Sequence, residues 1–263
     1  MASFTTLYSG SSGNCAVVRR GDKFLLIDMG KSCRATLTAL KELGLSVMDC
    51  EGILITHEHS DHVKGLDVFL KKYTHIPLYG GAATLDMLES RGTIPPAVDS
   101  IAIQGMQSDI GGFRVTCFPT SHDVPCVGYR IEEPGGGVMS YASDLGTLTM
   151  PVHENLAGCD LVALESNHDL YSLRYGPYSP YLKNRIESPR GHLDNRECAA
   201  KLLELVQDGG KQFALLHLSK ENNTPRLAME TVDKAFRMAG VVPGADVKIQ
   251  VQERDNISGI MEF

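Results

Sequence analysis

The sequence predicts an α/β fold with four layers, in which two packed sheets lie between outer helices. Short apolar runs typical of strands alternate with helical segments in two blocks, one early and one late in the chain. Strands without intervening helices lie between the blocks and add antiparallel pieces to both. Hydrophobic residues make up 43% and charged residues 22% of the chain, which excludes disordered, collagen-like and coiled-coil proteins. We expect a single domain over residues 1–263.

The first block begins with a hairpin. Strands 15–19 and 23–28 flank a Gly-Asp turn. Ser32 can cap a helix over 34–43, and Gly44 suits the end of that helix because glycine tolerates a left-handed backbone. The same criteria predict four further elements: strand 52–56, helix 63–73, strand 76–79 and helix 82–90.

The middle of the chain is predicted to form mainly strands, and in the last third strands and helices alternate again. The middle elements are strands 101–103, 113–119, 127–132 and 137–143, helix 152–156 and strand 160–165. Helix 195–206 is closed by two glycines and is followed by strand 213–218. A last helix opens at Thr224-Pro225, where proline suits the first turn, and precedes strand 247–251. Segment 171–190 fits neither element, and we expect an ordered loop or insertion there.

Charge and cysteine content restrict the possible partners and location. The 25 Lys and Arg against 32 Asp and Glu give a net charge of -7, so nucleic acid would have to meet a local basic patch. Seven scattered cysteines without a CxxC pair favour reduced thiols over a disulfide framework. Because no apolar run could span a bilayer and the N-terminus lacks the layout of a signal peptide, we expect a soluble, cytoplasmic protein without a membrane partner.

The strongest functional signal is the string His57-Glu58-His59-Ser60-Asp61-His62, placed between an apolar strand and a helix. Three imidazoles and a carboxylate are seldom crowded so closely unless a cation holds them. On a tight loop, His57 and His59 can point to one metal ion while Asp61 and His62 reach a second. The alternative is a solvated surface loop, which the cluster as a whole disfavours.

Three further candidates lie at the ends of predicted strands, where side chains gather at one edge of a sheet. They are His122, Asp144 and His217. A carboxylate such as Asp144 can bridge two cations, whereas a neutral imidazole cannot. Taken singly, Asp144 is also typical of a helix cap or a turn, and His217 is better explained as a buried core histidine. Their common placement favours a second group of metal ligands.

The type, order and setting of these residues resemble the metallo-β-lactamase superfamily, with its HxHxDH loop, later His, later Asp and final His. The resemblance runs from the Ser-Gly-rich opening through Ser219 and implies an αβ/βα sandwich with a dinuclear site at one edge. It implies a supporting role for Asp28 beside the metal loop. Mixed His and Asp ligands suit two divalent ions of Zn, Mn or Fe. The ligands implied are His57, His59, His122 and Asp144 for one ion, and Asp61, His62, Asp144 and His217 for the other.

Later motifs indicate a branch of this superfamily. Gly191-His192-Leu193-Asp194-Asn195, a helix and then His217-Leu218-Ser219 are similar to the phosphodiesterase branch that includes ribonuclease Z. The opening at 8–15 and the string at 164–169 are most similar to the YycJ or WalJ type, which implies a DNA exonuclease. The stretch between Asp144 and His192 is too short for an inserted β-CASP domain.

The residues themselves suit hydrolysis of a phosphodiester by a metal-bound hydroxide. Two cations lower the pKa of a shared water and neutralise phosphate oxygens. We expect Asp61 to orient the hydroxide and His192 to donate to the phosphate or the leaving oxygen, although a capping or surface role for His192 is nearly as typical. Glu165 is expected to hold a ligating or catalytic histidine by a hydrogen bond. His168 has two interpretations, an extra ligand or a substrate contact.

The substrate is indicated by segment 171–190, which mixes four tyrosines with four cations, Arg174, Lys183, Arg185 and Arg190. Cations that pair with phosphates and rings that stack on bases suit a single-stranded nucleic acid, although a solvated, tyrosine-packed loop is equally typical. We therefore predict cleavage at DNA ends, with Arg174, Lys183, Arg185 and His192 binding the substrate. The alternatives are a small phosphodiester and a thioester or lactone of the glyoxalase II type, against which His192 and His217 argue. A binding module without turnover is disfavoured by the full ligand set.

Overall fold

The computed structural model describes residues 1–263 and contains two seven-stranded sheets with helices outside them. The strands of the first sheet, in chain order, are β1 Ser3–Tyr8, β2 Cys15–Arg20, β3 Lys23–Ile27, β4 Cys50–Ile55, β5 Leu78–Gly80, β6 Ser100–Ala102 and the C-terminal β14 Met261–Glu262. The second sheet contains β7 Gln107–Ile110, β8 Phe113–Thr120, β9 Cys126–Glu132, β10 Val138–Ala142, β11 Leu161–Glu165, β12 Gln212–Leu216 and β13 Lys248–Val251. The strand orders are β14-β1-β2-β3-β4-β5-β6 and β13-β12-β11-β10-β9-β8-β7.

The chain contains nine α-helices. They are α1 Cys33–Glu42, α2 Ser60–Val63, α3 Leu66–Lys72, α4 Ala82–Ser90, α5 Met150–Leu156, α6 Leu170–Tyr175, α7 Pro180–Ile186, α8 Asn195–Gln207 and α9 Pro225–Met238. None of them combines the length and the apolar character that a membrane crossing requires. All seven cysteines are buried free thiols.

Alternation along the strands separates three hydrophobic cores. In β3, Leu25 and Ile27 face the second sheet and pack in one core with residues such as Phe113 and Tyr129. Their neighbours Phe24 and Leu26 face the opposite way and pack against the helices outside the first sheet. A third core joins the second sheet to α5, α8 and α9. The predicted four-layer α/β sandwich is therefore confirmed.

Several elements differ from their sequence predictions. Strands β1, β7 and β14 were not predicted, and the helix expected over 63–73 is divided at Gly65. The amide of Gly65 donates to the carbonyl of Met29 at 3.0 Å, outside the helix. A β-carbon on Gly65 would lie 2.2 Å from the carbonyl oxygen of Lys31, so only glycine fits at this close approach.

The expectation of a loop over 171–190 is corrected, because α6 and α7 lie there. The side chain of Asp169 accepts from the amide of Ser172 at the start of α6. Ser179 caps α7 in the same way, with proline in its first turn. Each helix buries one apolar side chain, Leu173 or Ile186, so neither shows an apolar stripe long enough to be recognised in the sequence.

Candidate metal centre

Six strands end at the edge where the predicted site residues meet. Strands β8, β10, β11 and β12 run in one direction, because β8 and β10 are both antiparallel to β9 while β11 and β12 continue parallel to β10. Strands β3 and β4 of the first sheet are also parallel. The residues at or just beyond the ends of these six strands are Asp28, His57, His122, Asp144, Glu165 and His217. Side chains far apart in the chain are thereby placed side by side.

Three of these residues have a left-handed backbone. The φ angles of Asp28, Asp144 and His217 are 62°, 56° and 55°, in a region that residues other than glycine seldom adopt. Each is the first or second residue after a strand, so the chain turns sharply and directs the side chain across the edge. Such local strain persists only where the surroundings hold it, and it is concentrated at functional sites.

The predicted ligands form adjoining groups. Potential ligand atoms of His57, His59 and His122 lie within 4.8 Å of one another, as do those of Asp61, His62 and His217. A third group of His57, His62 and Asp144 connects the other two. The structure therefore brings together all seven side chains that the sequence predicted as ligands.

Hydrogen bonds orient the imidazoles toward the centre. Nδ1 of His62 lies 2.7 Å from a carboxylate oxygen of Asp28, and Nδ1 of His122 lies 3.2 Å from the carbonyl oxygen of Gly191. Because these oxygens are acceptors, each Nδ1 carries the proton and each Nε2 has its lone pair on the side of the centre. His217 uses Nδ1 in the same way, 2.8 Å from Oε1 of Glu165.

The atoms that face the centre have no hydrogen-bond partners. They are buried Nε2 of His57, His122 and His217 and buried Oδ2 of Asp144. A buried polar atom without a partner costs about 1–3 kcal/mol, so four of them in one place call for a common partner. Imidazole nitrogens and carboxylate oxygens are ligands of divalent transition metals, and the residues therefore fit such ions.

The carboxylates of the centre favour a bound cation. Burial acts to raise the pKa of Asp61, but the nearby imidazoles of His217 and His62 outweigh it and lower this pKa. Burial likewise acts to raise the pKa values of Asp144 and Glu165, and the neighbouring imidazoles outweigh it in both. These acids are ionised at neutral pH and supply the negative charge that divalent cations neutralise.

Comparisons with known proteins identify the family. The profile described as the Beta-lactamase superfamily domain matches residues 24–218. The chain belongs to the metallo-β-lactamase superfamily. Within it, the chain is 34% identical to the exodeoxyribonuclease YycJ of Bacillus anthracis over 247 residues, which cover 94% of this chain and 93% of that protein. It is 32% identical to the exodeoxyribonuclease WalJ of Streptococcus pneumoniae over 264 residues, which cover 99% and 97%.

A solved structure supports the same assignment at the level of the fold. The metallo-β-lactamase fold protein YhfI from Bacillus subtilis aligns with a TM-score of 0.75 and 17% identity over 100% of both chains. The chain is accordingly a hydrolase of the metallo-β-lactamase superfamily and of the YycJ or WalJ type.

Glu165 joins two histidines of this superfamily member. It is fully buried at the end of β11, and its Oε1 lies 2.8 Å from Nδ1 of both His192 and His217. Its Oε2 accepts from the amides of Leu145 and Leu193 at 3.0 and 3.2 Å. His192 lies outside the three-histidine group and the Asp61 group, but its potential ligand atom forms a fourth group with those of Asp144, Glu165 and His217.

A polar cavity of about 330 Å³ opens beside His192. Its wall includes Arg174, Glu187, Asp194 and His168. The ring of His168 is buried, neither nitrogen has a hydrogen-bond partner, and burial lowers its pKa. His168 is absent from the groups of potential metal ligands and lies in the cavity wall.

The cations expected to bind substrate are engaged within the protein. Nε of Arg174 donates to Glu187 at 3.0 Å, and Nζ of Lys183 donates to the carbonyl oxygen of Arg174 at 2.8 Å. Arg185 forms an ion pair with Asp123. These contacts do not place Lys183 or Arg185 in the cavity, whereas Arg174 lies in its wall.

Three residues of the site were not singled out from the sequence. Nδ2 of Asn14 lies 3.0 Å from Nε2 of His62, and the hydroxyl of Thr56 lies 2.9 Å from Oδ2 of Asp28. Asp123 lies 3.2 Å from His122. Each of the three lies in or next to a motif recognised in the sequence, and this position was the available signal. The contact between Asn14 and His62 joins segments far apart in the chain, so the sequence alone does not show it.

Proposed function

We propose that the chain is a phosphodiesterase that removes nucleotides from DNA ends with the help of two divalent cations. The observation that carries this proposal is the position of His192, which borders the cavity beside the gathered ligands and is bonded to Glu165. The named activities of the relatives YycJ and WalJ support it. We also propose that residues 1–263 act as one catalytic domain.

The proposed ligands follow the two groups of side chains. His57, His59 and His122 would hold one cation, Asp61, His62 and His217 the other, and Asp144 would lie between them. Zn, Mn and Fe all suit this set of nitrogen and oxygen donors. When bound, such a pair of ions activates water at neutral pH and neutralises the charge that develops on phosphate oxygens.

The protein contributes orientation and proton transfer. Asp61 is ionised and partly exposed, and its Oδ2 lies 3.6 Å from Nε2 of both His62 and His217, so it can accept a hydrogen bond from the attacking water. The carboxylate of Glu165 accepts a hydrogen bond from Nδ1 of His192 and fixes the orientation of this ring. That ring can then donate a proton from Nε2 to the leaving oxygen.

Exposed aromatic rings on α6 and α7 favour a nucleic acid. Tyr171 and Tyr175 lie on α6 with ring centroids 4.5 Å apart, and both are largely exposed. Tyr181 on α7 is also exposed. Since Arg174 of the same helix lies in the cavity wall, bases stacked on these rings would lead the strand toward His192.

A small phosphodiester is the second candidate. The engagement of Arg174, Lys183 and Arg185 with protein partners favours it, because it leaves fewer free cations along a strand path. The two candidates differ in whether turnover depends on the length of the substrate.

One panel of substrates separates these functions. Protein loaded with Zn, Mn or Fe is offered end-labelled single- and double-stranded DNA, circular single-stranded DNA, RNA, bis-p-nitrophenyl phosphate and a thioester. We expect release of mononucleotides from linear DNA and no cleavage of the circle. Cleavage of the circle would contradict action at ends, and a preference for RNA would show that RNA, not DNA, is the substrate. Turnover of the thioester alone would contradict the proposed phosphodiesterase activity.

A further inference from the structure

Asp123 has an unpartnered carboxylate oxygen beside two members of the three-histidine group. Its Oδ1 is buried and has no hydrogen-bond partner. This atom lies 3.2 Å from Nε2 of His122 and 3.5 Å from Nε2 of His59. Asp123 thus shares the property that marks the proposed ligand atoms of His57, Asp144 and His217.

We propose that Asp123 is a further ligand of the cation held by His57, His59 and His122. The inference rests on the proposed metal centre and adds to it a carboxylate that belongs to the three-histidine group alone. The distances of 3.2 and 3.5 Å from Asp123 to the two imidazoles are similar to the 3.3 Å between Nε2 of His62 and Oδ2 of Asp144, which are both proposed ligand atoms.

The rest of the turn holds the carboxylate in place. Nε of Arg185 donates to Oδ2 of Asp123 at 2.8 Å, and Nη2 donates to the same oxygen. Arg190 donates to the carbonyl oxygens of His122 and Asp123 at 2.8 and 2.9 Å. The ion pair with Arg185 satisfies one oxygen and leaves the other directed to the histidines. Arg185 is thereby a positioning residue for the metal site.

Metal binding tests the proposal without reference to turnover. Wild-type protein, Asp123→Asn and Arg185→Gln are dialysed against graded concentrations of a chelator, and bound Zn is measured by mass spectrometry. The Co-substituted proteins are compared by visible absorption. The matched control is Asp233→Asn, which also breaks an aspartate–arginine pair, with Arg237 on the surface of α9.

We expect Asp123→Asn to bind one of the two ions about 10–100-fold more weakly, to keep the other and to change the Co spectrum. Arg185→Gln should weaken the same ion by a smaller factor and retain the wild-type spectrum. Asp233→Asn should equal the wild type. An Asp123→Asn protein with wild-type affinity and spectrum would overturn the proposal.

Failure of this inference is distinguishable from failure of the proposed function. A wild-type protein that binds no ions contradicts the metal centre itself. A wild-type protein that binds two ions while Asp123→Asn is unaffected contradicts only the role of Asp123. If Asp123→Asn does not fold by circular dichroism, Asp123→Glu replaces it; the longer carboxylate should alter the Co spectrum, and an unaltered spectrum would overturn the proposal.

Discussion

The buried carboxylate of Glu165 accepts hydrogen bonds from four donors, and replacing Glu165 by glutamine leaves one acceptor oxygen instead of two. Oε1 accepts from Nδ1 of His192 and of His217, and Oε2 accepts from the amides of Leu145 and Leu193. An amide side chain has one acceptor oxygen and one NH2 group of the same size. Whichever way the glutamine turns, two of the four donors face another donor.

The size of the effect follows from these two orientations. If the NH2 group faces Leu145 and Leu193, two buried amides lose their acceptor, at about 1–3 kcal/mol each, and the free energy of unfolding falls by about 2–6 kcal/mol. If it faces the imidazoles, both rings must carry the proton on Nε2 instead of Nδ1. His217 then loses the lone pair directed at the centre, and metal affinity should fall about 10–100-fold. In the first orientation His192 faces a neutral amide oxygen instead of a carboxylate, and in the second its proton must move from Nδ1 to Nε2. In both cases we expect turnover to fall at least about 100-fold.

Three measurements on Glu165→Gln check this reasoning. Urea unfolding in the presence of a chelator reports the stability of the metal-free protein, equilibrium dialysis reports metal affinity, and bis-p-nitrophenyl phosphate reports turnover. The control is Glu154→Gln, at an exposed position of α5. Wild-type metal affinity together with a stability loss below about 0.5 kcal/mol would refute the role given to Glu165.

Three other substitutions test separate parts of the site. Gly30→Ala should lower the free energy of unfolding by about 3 kcal/mol or more, measured in urea, because its β-carbon would lie 1.7 Å from the carbonyl oxygen of Asp61; an unchanged midpoint would contradict this. His192→Ala should reduce phosphodiester turnover by about 10²–10⁴-fold while metal analysis shows both ions retained, and loss of metal would show that His192 acts on the ligands. Replacing Tyr171 and Tyr175 by alanine should raise the Kd for a single-stranded oligonucleotide, measured by fluorescence anisotropy, since stacking contributes about 1–3 kcal/mol per base; an equal Kd would exclude these rings from the substrate path.

Local signals were sufficient for much of the fold. Helix α4 has the predicted bounds 82–90, and α1 begins after Ser32, whose side chain caps it. These elements were predictable because apolar spacing and capping act over a few residues. Strand β14 was not, since Met261 pairs with Phe4 at the other end of the chain, and two residues carry no periodic pattern.

The sequence by itself determined which donors the site contains and in what order, because His57, His59, Asp61 and His62 are crowded in one string. Only the tertiary structure decided how those donors are held. Glu165 connects His192 to His217, and Arg185 pairs with Asp123 instead of facing outward as a free cation. Contacts of this kind join residues from different strands and helices, and their partners are selected by the packing of the two sheets.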